Sequence, residues 1–202
     1  MARHKDLQQL RHQIAVTAAR IMAEERLEDF YAAKKKAVHR LGGAADKALP
    51  TNEEIEHELK IHHSLFNKDR HNGHLLELRK TALDAMKFFE SFNPRLVGPV
   101  LEGTAQINST VILHLFAEQL EEVDRFLIDK KIPFELAKVG LRMRVGKDKE
   151  IFPAYRFMAG ETQVELVVFP LKGTRQAPLS AVTSRHMERA SIKQVEDLIN
   201  SQ

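Results

Sequence analysis

The sequence contains no cysteine. That absence removes disulfides, thiolate metal sites and a cysteine nucleophile together. Long apolar runs are also missing, since none approaches the roughly 20 residues that span a bilayer. The opening MARHKDLQQLRHQ has no apolar core of signal-peptide length. A cytoplasmic protein with no membrane partner is expected. Neither sign of charge dominates: 31 Lys and Arg face 28 Asp and Glu, leaving a formal charge of +3. An anionic partner is permitted, but no basic stripe argues for nucleic acid by itself. Internal repeats and low-complexity segments are absent too.

What is present divides by periodicity. With 43% hydrophobic residues the chain can bury a core. Leu7, Leu10, Ile14, Ala18 and Ile21 recur at helical spacing, and Phe30, Ala33, Ala37, Val38 and Leu41 form a second stripe. Gly42-Gly43 suits a left-handed helix end. Thr51 followed by Glu54 predicts a capping box opening a third helix, which carries Ile55, Leu59 and Leu65 or Phe66. A fourth helix is expected over 75–92, burying Leu75, Leu78, Ala82, Met86 and Phe89 and closed by Asn93-Pro94.

After Pro94 the pattern becomes that of strands. LVGPVLE, TVILHLFAE, FELAKVGLRMR, AYRFMAG and TQVELVVFP are short and rich in Val, Leu, Ile and Phe. ILHLF and VELVVF are nearly all apolar, as strands covered on both faces are. One helical stripe, Leu120, Val123, Phe126 and Leu127, interrupts them. Ser191 with Gln194 predicts a capping box for a last helix. The fold expected is α+β: a helical region over 1–93, then a mixed sheet with flanking helices over 94–202. The first half should contain no strand.

Candidate chemistry centres on residues 98–123, GPVLEGTAQINSTVILHLFAEQLEEV. A strand and Gly-Thr turn followed by a second strand resemble the core of the polymerase-beta-like nucleotidyltransferase superfamily. RLVGPVLEGTA and HLFAE are also similar to uncharacterised bacterial proteins labelled nucleotidyltransferase, a likeness extending over most of the chain. The resemblance implies that Gly103 and Thr104 hold phosphates, and that the following strand carries two alternating carboxylates for Mg2+. Ile112 and His114 stand in those places. Glu165, in QVELVVF, matches the third carboxylate, with a metal-binding or proton-transfer role.

Each residue also has a structural reading. His114 suits a hydrogen-bonded core histidine as well as a catalytic base or metal ligand. Glu165 would pair with Arg142, Arg144 or Arg156 on an adjacent strand. Arg142 and Arg144, expected to alternate along one strand, suit bidentate phosphate contact or a charged sheet edge. The histidine-rich first half lacks the ligand pattern of a structural zinc. Two functions follow. One is a nucleotidyltransferase-like protein with a degenerate metal site, binding a nucleoside triphosphate or a nucleic-acid end. The other is a non-catalytic binding or regulatory module for RNA or a protein partner.

Overall fold

A computed structural model describes residues 2–43, 48–66, 68–106 and 108–201, although side chains are not described for 2–5, 66 and 68–70. The architecture is α+β, with the strands following a helical region. The chain divides into two compact units, one of residues 1–71 with 181–183 and the other of 72–180 with 184–202.

In the first unit, α1 (Ala2–Glu25), α2 (Phe30–Arg40) and α3 (Asn52–Phe66) surround a core of small and branched residues. Ile14, Ala18, Ile21, Ala33, Ala37, Ile55 and Leu59 are buried as their spacing predicts, and Ala at several contacts lets helices approach closely. Leu7 and Leu65 are instead exposed, and the side chain of Phe66 lies outside the described residues. Asp29 caps α2 by accepting from the Tyr31 amide, while Gly42 and Gly43 adopt φ of 93° and 79° just beyond it. Thr51 and Glu54 exchange capping bonds at the start of α3.

Helix α4 (Lys68–Phe88) crosses the division between the units. Its Leu75, Leu78, Ala82, Met86 and Phe89 just beyond it join the core of the second unit. A 3-10 turn (Glu90–Phe92) then closes on Asn93, whose φ of 48° reverses the chain. Among the described residues, strands begin only at Arg95.

The sheet contains β1 (Arg95–Val97), β2 (Val111–Ala117), β3 (Glu135–Arg142), β4 (Lys149–Ala159) and β5 (Thr162–Pro170) in the order β1-β2-β5-β4-β3. Among the described strands, β2 and β5 alone pair in parallel. They occupy the middle, which explains their continuous apolar runs. Helix α5 (Pro99–Glu102) follows β1, α6 (Glu121–Asp129) follows β2, and α7 (Ile192–Asn200) comes last. The segment LVGPVLE, expected as one strand, stops at Val97. Gly98 turns with φ 73° and ψ −156°, and Pro99 then opens α5. Proline's fixed φ and missing donor suit that first helical position.

Alternation gives the sheet two distinct faces. Val111, Leu113 and Leu115 of β2, with Val164, Leu166 and Val168 of β5, share a core with α4, α6 and α7. The opposite face builds a second core from Phe116, Met143, Phe152, Ala154, Val167 and Phe169. A 3-10 segment (Leu171–Arg175) packs there, with Gly173 so close that a Cβ would stand 3.0 Å from Phe169 Cβ.

Candidate functional site

Strand register orders the face away from α4 into rows. In the first, Ile112 lies beside Glu165, Glu165 beside Arg156, and Arg156 beside Glu135. The next row places His114 beside Val167, Val167 beside Ala154, and Ala154 beside Ala137. Ile112, His114 and Glu165 therefore occupy one face, as alternation predicts.

Shared orientation does not make a shared site. Glu165 is buried, and its Oε2 accepts from Arg156 Nε at 2.6 Å. Among the candidate partners, Arg156 is the one that holds it. A buried carboxylate keeps its charge only with such compensation.

His114 is enclosed more completely, with 1% of its surface exposed. Its Nδ1 accepts from Arg189 Nε at 3.0 Å, which requires the neutral ring with its hydrogen on Nε2. Arg189 Nη1 also donates to the Gly173 carbonyl at 2.7 Å. The guanidinium carbon stands 5.1 Å from the Phe116 ring and 4.9 Å from the Phe169 ring. Burial and the nearby guanidinium push the His114 pKa down to about 3. This histidine is a core acceptor.

The Gly103–Thr104 turn lies elsewhere. Gly103 ends α5 in the left-handed conformation, and both its amide and that of Thr104 donate to the Pro99 carbonyl. A Cβ on Gly103 would meet Leu75 and Arg79 of α4. Arg79 itself donates to the carbonyls of Val100 and Leu101. The turn thus belongs with the α4 core, whereas Glu165 and His114 face the other way. The structure does not bring the proposed phosphate cradle and acid together.

Magnesium favours several oxygen donors in octahedral geometry. On the face where the resemblance places its ligands, Ile112 has no donor, His114 offers a committed nitrogen, and Glu165 is held by Arg156. This donor set does not fit a magnesium site. Among the described residues, no group of at least three His, Asp or Glu is arranged to hold a metal ion.

The arginine pair also differs from its expected placement. Strand β3 ends at Arg142, so Arg144 lies in the following turn rather than one step further along the same strand. Arg142 instead stands opposite Lys149 on β4. Four residues back on β3, Lys138 shares its side of the sheet. Among the described residues, none of these exposed cations makes an ion pair within 4 Å. The hairpin's strand acids, Glu135 and Glu150, alternate onto the opposite face. Exposed Leu136 and Ile151 lie among the cations on their side.

The sequence draws attention to Arg142 but not to Lys149 or Lys138, because their relation depends on hairpin register. Arg189 was equally hidden, being 75 residues from His114 in sequence. Its sequence surroundings carry no signal of that contact, since residues 176–202 contain no Phe or Tyr.

No family model, curated protein or solved structure matches this chain.

Proposed function

We propose that the chain is a non-catalytic binding module, built on a nucleotidyltransferase-like sheet, whose partner is anionic and docks on the cationic side of β3–β4. The observation that carries this reading is Arg142 standing directly opposite Lys149 without an acidic partner among the described residues. Like charges opposed across a ladder weaken the pairing. Lys138 adds a cation on the same side, and the strand acids are turned away. An anion at this surface offsets the repulsion. The exposed aliphatic residues beside it add contact area.

Commitment of His114 and Glu165 to neighbouring arginines supports a non-catalytic role. The transferase reading needs Glu165 released from Arg156 and a metal held without the carboxylate pair. Its assay follows an alpha-labelled nucleoside triphosphate with Mg2+ onto RNA, protein or a small acceptor. Robust transfer by the wild type that is lost on Glu165→Gln would replace the binding reading with a catalytic one.

The binding proposal is tested with polyglutamate and a single-stranded RNA oligonucleotide over a range of salt. Wild-type protein should bind at least one polyanion, with affinity falling as salt rises. The Arg142→Gln/Lys149→Gln variant should bind about tenfold or more weakly. Equal binding by that variant, or no binding to either probe at low salt, overturns the proposed surface.

A further inference from the structure

The two edges of the sheet are treated differently. At β1, Leu96 and Ala190 exchange backbone hydrogen bonds at 2.9 Å, so a following segment covers the edge. At β3, the outer edge receives a single backbone bond among the described residues, from the Leu179 amide to the Arg142 carbonyl at 2.7 Å. From Glu135 to Leu141, no other strand flanks it among the described residues. The Arg142 bond also reveals which residues face outward. Because ladder groups alternate, Leu136, Lys138 and Gly140 direct their N–H and C=O groups toward the vacant side.

The side chains beside that edge have two characters. On one face β3 presents Leu136, Lys138, Gly140 and Arg142. On the other it presents Glu135, followed by the partly buried Ala137, Val139 and Leu141, which pack against the Phe152 and Phe169 core. A sixth strand would therefore meet cations on one side and an incomplete aliphatic layer on the other.

We infer that β3 is the acceptor edge for an extended segment of a protein partner, with acidic residues alternating with aliphatic ones. This rests on the anionic-partner reading above and specifies its chemistry. Main-chain hydrogen bonds supply the pairing, while the two faces select the sequence pattern. About seven residues would run beside the open length of β3. An acid would align with Lys138, with Arg142 just past the open length in diagonal reach, and the aliphatic residues would extend the Val139 layer. Self-pairing of β3 brings cation rows together and is disfavoured. A single-stranded nucleic acid would use the cations but leave both the strand donors and the aliphatic layer unmatched.

The probe is a synthetic peptide of about nine residues alternating Glu and Val. Its control has the same residues separated into a Glu block and a Val block. Polyglutamate and the RNA oligonucleotide complete the set. The alternating peptide should bind on the order of tenfold more tightly than the block control. It should also slow amide exchange at Lys138 and Gly140. The Lys138→Pro variant removes an outward donor at an edge position where proline is tolerated, so it should abolish that preference. Exchange in the wild type tests the same geometry should this variant fold poorly.

Equal binding of alternating and block peptides without amide protection overturns the strand-addition inference while leaving the anionic surface intact. Tight RNA binding with no peptide binding has the same consequence. Failure of every polyanion and peptide to bind overturns both readings.

Discussion

His114 provides a test that reaches into the centre of the sheet. Its ring is neutral in the folded protein because it is buried and because Arg189 places a positive charge beside it. In the unfolded chain the imidazole returns toward its ordinary pKa of 6.5, against about 3 when folded. Between those values the unfolded state binds more protons. The sign follows directly: this stabilisation is full above the unfolded pKa and is lost as pH falls through the window toward the folded one. From pH 7 to about pH 4.5, one such histidine should account for about 2–3 kcal/mol of lost stability.

The informative variant is His114→Gln, which keeps a side-chain acceptor for Arg189 but cannot titrate. Urea unfolding at several pH values should be followed through the β2 and β5 amides, which report on the second unit. Acid-sensitive carboxylates occur in both proteins, so the difference between their pH profiles isolates His114. His63, pushed down to about 4 by burial and neighbouring histidines, acts in the same direction but belongs to the other unit. Wild type should lose about 2–3 kcal/mol more than the variant over this range. Parallel profiles, or direct NMR titration of His114 near 6.5, would refute the placement of this ring as a buried neutral acceptor.

Other substitutions examine the supports around it. Arg189→Ala should cost about 2–4 kcal/mol in urea unfolding, because His114 Nδ1 and the Gly173 carbonyl both lose their donor. It should also raise the His114 pKa measured by NMR, because the guanidinium charge that helps to lower it is gone. Gly98→Ala should cost about 1–3 kcal/mol through its φ of 73° and ψ of −156°. Its new Cβ would meet Ile112 Cδ1 at an ordinary 3.6 Å, so unchanged stability would refute backbone strain as the reason for glycine. Ser191→Ala should lose about 1 kcal/mol and increase amide exchange in the first turn of α7, where Ser191 and Gln194 form a reciprocal cap.

Much of this organisation is legible where local chemistry and burial agree. Helical stripes identify the buried sides of α1 to α4, and continuous apolar runs identify the central strands. The misplaced portions arise where one residue changes the chain direction. Gly98 and Pro99 divide an apolar segment into β1 and α5, although its composition alone reads as one strand. Likewise Arg144 continues an alternating pattern after β3 has ended. Side-chain type cannot reveal such a termination without the backbone geometry around it.

The candidate site was harder to read because its decisive relations are non-local. Arg156 lies nine positions from Glu165 and Arg189 lies 75 from His114, yet these are the contacts that assign both residues structural work. The opposite relation occurs at Arg142 and Lys149: folding brings their charges together without a compensating carboxylate among the described residues. One face of the sheet therefore consumes its polar groups in internal pairing, while the hairpin's other side retains cations beside an open strand edge. A partner that contributes acids and backbone hydrogen bonds resolves both features at once. A diffusible phosphate would neutralise the cations but leave the edge unpaired, which is why amide protection along β3, rather than anion binding alone, distinguishes the partner.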